Sequence, residues 1–375
     1  MNKKNIYFDI AATTPTDPLV IKKMNEIDGS YYGNPSSIHA SGRKSRSIIE
    51  SARRTIAEAI QASHNEIIFT GSGTEANNIV LWSLAHLEKK HVITSAIEHP
   101  AILKVLEAIA PLGVTFTALS VDEFGQVNPE DLRNSIQSDT GLISIMMVNN
   151  EVGTINPMKS LIKVAQSKGI PFHSDTVQAL GKTPLSVQDI NADYLSFSGH
   201  KFYGPKGVGF LYKKNEALLN PLIIGGGQEN YFRAGTENVP GIAGLSEAVR
   251  LAVENISSRI SHLEKLEFVF KEKISSACPN IIFNGHPENH VPGVISVSFP
   301  GYRSDILLSK LDREGIEVSS GSACGSGSVN PSPVLEAMGI LEEQNISTLR
   351  ISFGRSNSLN EVTSLVSTLS KITNV

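Results

Sequence analysis

The sequence predicts an α/β protein: a large, mostly parallel sheet covered by helices, with a smaller α+β lobe beside it. Three observations carry this. Short, continuously apolar runs alternate with helical patterns through the middle of the chain, as parallel strands joined by crossover helices do. Beyond about residue 277 the grammar changes to alternating polar and apolar positions, the mark of half-buried strands. The length, 375 residues, exceeds one ordinary core and favours two lobes.

Strand is predicted over 66–70 followed by a helix from Thr74, over 91–94 followed by a helix from His99, and over 142–148 followed by a helix from Met158. Further strands are predicted at 171–174, 194–198 and 209–212, each bounded by Gly, Pro or polar residues. A long helical pattern runs from about Pro240 to Ala277. Segments 295–299, 316–319 and 350–353 then read as strands of the small lobe. The expected division is 15–255 for the large lobe, with 1–14 and 256–375 forming the small one. Segment 319–328, Ser-Ser-Gly-Ser-Ala-Cys-Gly-Ser-Gly-Ser, offers no large side chain to pack and is expected to be mobile.

Composition narrows the function. A chain that is 40% hydrophobic and 19% charged is globular, and no apolar run reaches the roughly 18–20 residues of a membrane span. The first residues lack a secretory signal's apolar stretch, so a cytoplasmic protein is expected. Net charge is −4, from 33 basic and 37 acidic residues with no basic block, which argues against direct binding of nucleic acid. Cys278 and Cys324 lie too far apart for a local metal knuckle, so no metal site is expected, and a reducing compartment disfavours a disulfide. One of them is free to be reactive.

Four segments carry candidate chemistry. Gly71-Ser72-Gly73-Thr74-Glu75-Ala76 follows a strand and opens a helix, where backbone N–H groups and the helix dipole favour an anion, phosphate above all. The same residues satisfy the loose pattern G-x-G-x-x-A, with Glu98 placed to be the ribose acid, so a nicotinamide enzyme is a rival reading. Ser196-Phe-Ser-Gly-His-Lys201 ends a strand in a lysine beside His200. An ordinary lysine is protonated and poorly nucleophilic, so a buried position near another cation suits it for imine formation, whereas alone it reads as a surface charge. His173-Ser-Asp175-Thr-Val-Gln178 puts a carboxylate at a strand end, suited to a pyridine nitrogen or, more blandly, to capping. His99 opens a helix, where it can stack on an aromatic ring or simply cap. Gly181-Lys182-Thr183 suggests a nucleotide loop, but Thr176 stands where its first glycine belongs.

Together these segments resemble the cysteine desulfurases of the class V aminotransferase family, with the fold type I pyridoxal-phosphate architecture and its seven-stranded sheet. The resemblance runs from Phe8-Asp-Ile-Ala-Ala-Thr-Thr-Pro15 through Gly33-Asn-Pro-Ser-Ser-Ile-His39 and Val148-Asn-Asn-Glu-Val-Gly153 to Arg233-Ala-Gly-Thr-Glu-Asn238. Segment 319–324 is similar to the cysteine loop of the housekeeping and nitrogen-fixation branch. The resemblance implies that Lys201 holds pyridoxal 5'-phosphate covalently, Asp175 pairs with its ring nitrogen, Gln178 contacts its ring hydroxyl and His99 stacks on it. Gly73, Thr74, Ser198, Gly199 and His200 match the phosphate cup, which Thr236 of a second copy completes, so a homodimer is implied. Asn150 and Arg350 match the positions that hold the substrate carboxylate, Asn34 matches a further substrate-binding position, and Asn150 is implied to touch the cofactor as well. Cys324 is implied to take sulfur from L-cysteine as a persulfide, to pass it to an iron–sulfur scaffold or tRNA-thiolation protein, and to be open to sharing a transient cluster there. A transaminase, a selenocysteine lyase and a non-catalytic scaffold are the competing classes.

Overall fold

The computed structural model describes residues 5–321 and 330–373. Its strands are β1 (Ile6–Tyr7), β2 (Ile67–Thr70), β3 (His91–Ser95), β4 (Thr115–Leu119), β5 (Thr140–Ser144), β6 (Phe172–Asp175), β7 (Tyr194–Ser198), β8 (Gly209–Lys213), β9 (Ile282–Asn284), β10 (Val294–Ser298), β11 (Ile316–Glu317) and β12 (Thr348–Ser352). Seven of them form one sheet in the order β2-β8-β7-β6-β5-β3-β4. Only β8 runs antiparallel to its neighbours. Every residue of β2, β3 and β5 to β8 is buried, which is why these strands are rich in apolar and small residues, with polar side chains such as His91, His173 and Asp175 at a few positions. β4 lies at the sheet edge and is largely open to solvent, and its Thr-rich run was absent from the sequence reading.

Two other differences have local causes. The run predicted over 142–148 is regular strand only to Ser144. Ile145 N and Met147 N still donate to His173 O and Asp175 O of β6 (both 3.1 Å) before the chain folds back, with Val148 bridging Ile155 and Gly153 at φ 76°. The long helix predicted over 240–277 is two helices, Val239–Glu254 and Ile256–Ala277, broken at Asn255, whose backbone is non-helical (φ −128°).

A second sheet, β12-β10-β9, is antiparallel and packs with helices Ile256–Ala277, Ser304–Arg313 and Leu359–Thr373 around its own apolar cluster. Phe8, near the chain start, belongs to that cluster, its ring edge-on to Phe353 at 5.2 Å. The chain therefore enters through the small core before crossing to the large one. Among the described residues no helix is long and apolar enough to cross a membrane.

Candidate active site

In a parallel sheet the carboxyl ends of the strands collect on one edge, and the chemistry-bearing residues are there. β7 ends at Ser198 and turns through Gly199–Lys201 into the cleft. Gly199 has no room for a side chain: a Cβ would lie 2.9 Å from Pro205 O. Lys201 Nζ donates to Ala11 O (2.9 Å) and Ala12 O (2.8 Å), so the segment 9–14 forms the facing wall. Burial, then the charge of Arg350, lowers the Lys201 pKa to about 8, with Asp175 and Asp9 opposing. His200 is pushed down to about 4 by burial and by the charges of Lys201, Lys206 and Lys182, so it is neutral, with Nδ1 3.0 Å from Thr13 Oγ1.

Asp175, the last residue of β6, is 7% exposed. Its Oδ2 accepts from Asn77 Nδ2 (2.7 Å) and its Oδ1 from Val177 N (3.0 Å). No helix follows, so the capping reading reduces to a tight turn. Among the described residues no cationic side chain forms an ion pair with this carboxylate. His99 caps the helix Pro100–Ile109, its Nδ1 accepting from Ala101 N (3.0 Å), which leaves Nε2 to carry the proton of the neutral ring. The surrounding walls lower its pKa most, Asp175 opposes them, and the charge of Lys201 lowers it further. Glu98 is 4% exposed, accepts from Ser95 Oγ (2.6 Å) and Met146 N (2.8 Å), and is raised by burial to about 8. It is an internal brace, which removes the ribose-acid reading.

The helix Gly73–Ser83 begins where β7 ends and β8 begins. A Cβ on Gly73 would lie 2.5 Å from Val177 Cγ2 and 3.3 Å from Ser198 Cβ, so only glycine admits this approach. Ser72 spends its hydroxyl capping Glu75 N (3.1 Å), whereas Thr74 is exposed and keeps its hydroxyl at the helix start. Glu75 accepts from Gly71 N (3.0 Å) and pairs with Arg233 Nε (2.8 Å), tying the segment that holds Thr236 to this turn.

Arg350 reaches across from β12. Its Nη2 donates to Asp9 Oδ1 (2.8 Å) and its Nη1 to Asn150 O (3.0 Å), while buried Nε has no hydrogen-bond partner among the described residues. Its fork is therefore engaged by Asp9 in this structure. Asn34 and Thr236 line a separate surface recess of about 400 Å³ with Tyr32 and Glu237. Cys324 lies outside the described residues. Cys278 is buried, with its Sγ 3.2 Å from Thr373 Oγ1, as a small core residue.

Three contributors were not singled out from sequence. Asn77 holds Asp175. Asp9 engages Arg350 from within the Phe8–Pro15 motif. Lys182 is 8% exposed and donates to Gln178 Oε1. The signal for Lys182 is its position four residues after Gln178, which puts the two side chains on one side of the chain.

The set fits a phosphorylated pyridine aldehyde. A nucleophilic amine stands in the cleft, a glycine-bared helix start suits phosphate, and a buried carboxylate without a cation suits a protonated ring nitrogen. Sheet, small lobe and this edge together define a fold type I pyridoxal-phosphate enzyme. Residues 6–365 match the model of the aminotransferase class-V family, and the chain belongs to that family. It is 44% identical over 94% of its length to a protein of Dictyoglomus turgidum named cysteine desulfurase IscS, covering 90% of that protein. It is 42% identical to the putative cysteine desulfurase IscS 1 of Bacillus subtilis, over 96% of each. Among solved structures, a NifS-like protein superposes with a TM-score of 0.93 at 36% identity over 99% of both chains. A structure titled SspA in complex with cysteine gives 0.83 at 36% identity, over 94% of this chain and 99% of that one.

Proposed function

We propose that this protein is a pyridoxal-phosphate-dependent cysteine desulfurase that converts L-cysteine to L-alanine and passes the sulfur to Cys324 as a persulfide. The observation that carries the reading is a half-buried, pKa-lowered Lys201 in one cleft with the buried Asp175 carboxylate, which forms no ion pair among the described residues. The cysteine-bound relative and the desulfurase names of the similar proteins support the substrate.

When bound, the cofactor supplies an electron sink for the pair released at the substrate's Cα. Lys201 holds it, Asp175 and Asn77 fix its ring nitrogen, and Gln178 addresses its ring hydroxyl. Gly73, Thr74, Ser198, Gly199 and His200 hold its phosphate. His99, held neutral by its lowered pKa and with its proton on Nε2, would lie against the ring and offer that N–H to the reacting groups. Arg350 and Asn150 take the substrate carboxylate, Arg350 by exchanging Asp9 for it. The Cys324 thiolate attacks the substrate sulfur, the C–S bond breaks with its pair passing to carbon, and carbon takes a proton to become alanine. The sulfur then passes to an acceptor protein, an iron–sulfur scaffold or a tRNA-thiolation protein.

A second copy completes the site in this reading, Thr236 and Asn34 being presented outward. Tyr32 (89% exposed), Ile38 (90%) and Ile224 (85%) support an apolar interface there. The lobes divide at 15–255 against 1–14 and 256–375, following the two cores, and the protein works in the cytoplasm. The test is alanine and sulfide release from L-cysteine with dithiothreitol, compared with Cys324→Ala. Wild type yielding both products, and a yellow but inactive variant, is the expected result. Equal activity of the two forms refutes the persulfide step and leaves a generic lyase or transaminase.

A further inference from the structure

Two lysines, Lys182 buried and Lys201 half-buried, share this cleft, and the reaction assigned above uses one. Lys182 Nζ donates to Gln178 Oε1; Gln178 Nε2 donates to Ala11 O (2.9 Å); and Ala11 O also accepts from Lys201 Nζ (2.9 Å). Lys182 and Lys201 also line one enclosed cavity of about 20 Å³ between the lobes, with Tyr203, Arg259 and Arg355. A lysine that is 8% exposed with no carboxylate partner among the described residues is costly to retain. Among the described residues its ammonium has one hydrogen-bond partner, an amide of the site.

We propose that Lys182 is a positioning residue that fixes the amide of Gln178 so that an N–H, not the carbonyl, is presented to the cofactor's ring oxygen. The proposal rests on the cofactor assignment made above. An amide has one acceptor end and one donor end. Lys182 claims the acceptor and Ala11 O claims one of the two N–H groups. One N–H therefore remains for a ligand, and the opposite orientation would set Gln178 Oε1 against Ala11 O. With the cofactor bound, that donor would draw electron density from the ring oxygen and so would make the neighbouring Lys201 nitrogen easier to deprotonate. Burial, the charge of Lys201 and that of Arg350 lower the Lys182 pKa to about 7, so it donates either as a cation or as a neutral amine across the working range.

The test is a pH titration of the holoenzyme's visible absorbance for wild type, Lys182→Met, Gln178→Ala and the double variant, each checked for folding by circular dichroism. Lys182→Met is expected to raise the midpoint by about one pH unit, Gln178→Ala by a similar shift, and the double variant no further than Gln178→Ala alone. A Lys182→Met midpoint at the wild-type value, or additive shifts, overturns the proposal. If Lys182→Met does not fold, an unshifted midpoint in Gln178→Ala overturns it just as well and a raised one supports it. Borohydride reduction and peptide mapping separate this from failure of the cofactor assignment: label on Lys201 upholds that assignment, label on Lys182 makes Lys182 the covalent lysine, and absence of label means no cofactor is held.

Discussion

Replacing Arg350 by Gln tests how the cleft makes a nucleophile of Lys201. With its pKa at about 8, roughly one Lys201 in ten is neutral at pH 7, against roughly one in three thousand at the ordinary value of 10.5. The fold thus raises the reactive fraction by about 300-fold. Burial is the largest cause and Arg350 the second, with Asp9 opposing. Arg350→Gln removes a cation and also frees the Asp9 carboxylate it engages, and both changes raise the Lys201 pKa. A rise of about one unit is expected for loss of one close charge in a buried site. The sign fixes the window. Below the wild-type pKa the neutral fraction falls tenfold per pH unit, so the variant is about tenfold slower at pH 7 and equals wild type well above pH 9. The assay is the rate at which cofactor-free protein acquires the visible absorbance of covalently attached pyridoxal phosphate, from pH 6 to 10. Coincident profiles, or a wild-type rate still climbing tenfold per unit at pH 10, would refute the reasoning.

Gly73→Ala places a methyl 2.5 Å from Val177 Cγ2 and should cost about 1–3 kcal/mol of stability with weaker cofactor binding. Thermal melts check it, and Val177→Ala in the same chain should recover most of the loss. Asn77→Ala removes the 2.7 Å bond to Asp175 and should weaken cofactor affinity by about thirtyfold, read by equilibrium titration of cofactor-free protein; unchanged affinity would show that Asp175 needs no such support. Arg53→Met strands Glu229, whose carboxylate pairs with Arg53 at 2.7 Å and also accepts from Phe69 N, and should cost about 3–5 kcal/mol in urea unfolding. A loss under about 1 kcal/mol would mean that the pair is replaceable by packing.

The sequence by itself determined the strand-helix alternation of the large sheet, because buried parallel strands must be apolar on both faces and leave a continuous signal. It also placed Lys201, Asp175 and His99 at strand or helix ends, since Gly, Pro and capping residues mark where chain direction changes. Edge strand β4 escaped because solvent on one side removes that signal, and the break at Asn255 because a helix can end without a proline or glycine. Only the tertiary structure decided which polar groups meet. Asn77 and Asp175 are 98 residues apart, Arg350 and Asp9 341, and Lys201 and Ala11 190. No local periodicity encodes such pairs. Lys182 shows the same limit within one turn of chain: spacing put it beside Gln178, but burial, which depends on both lobes, made it part of the site.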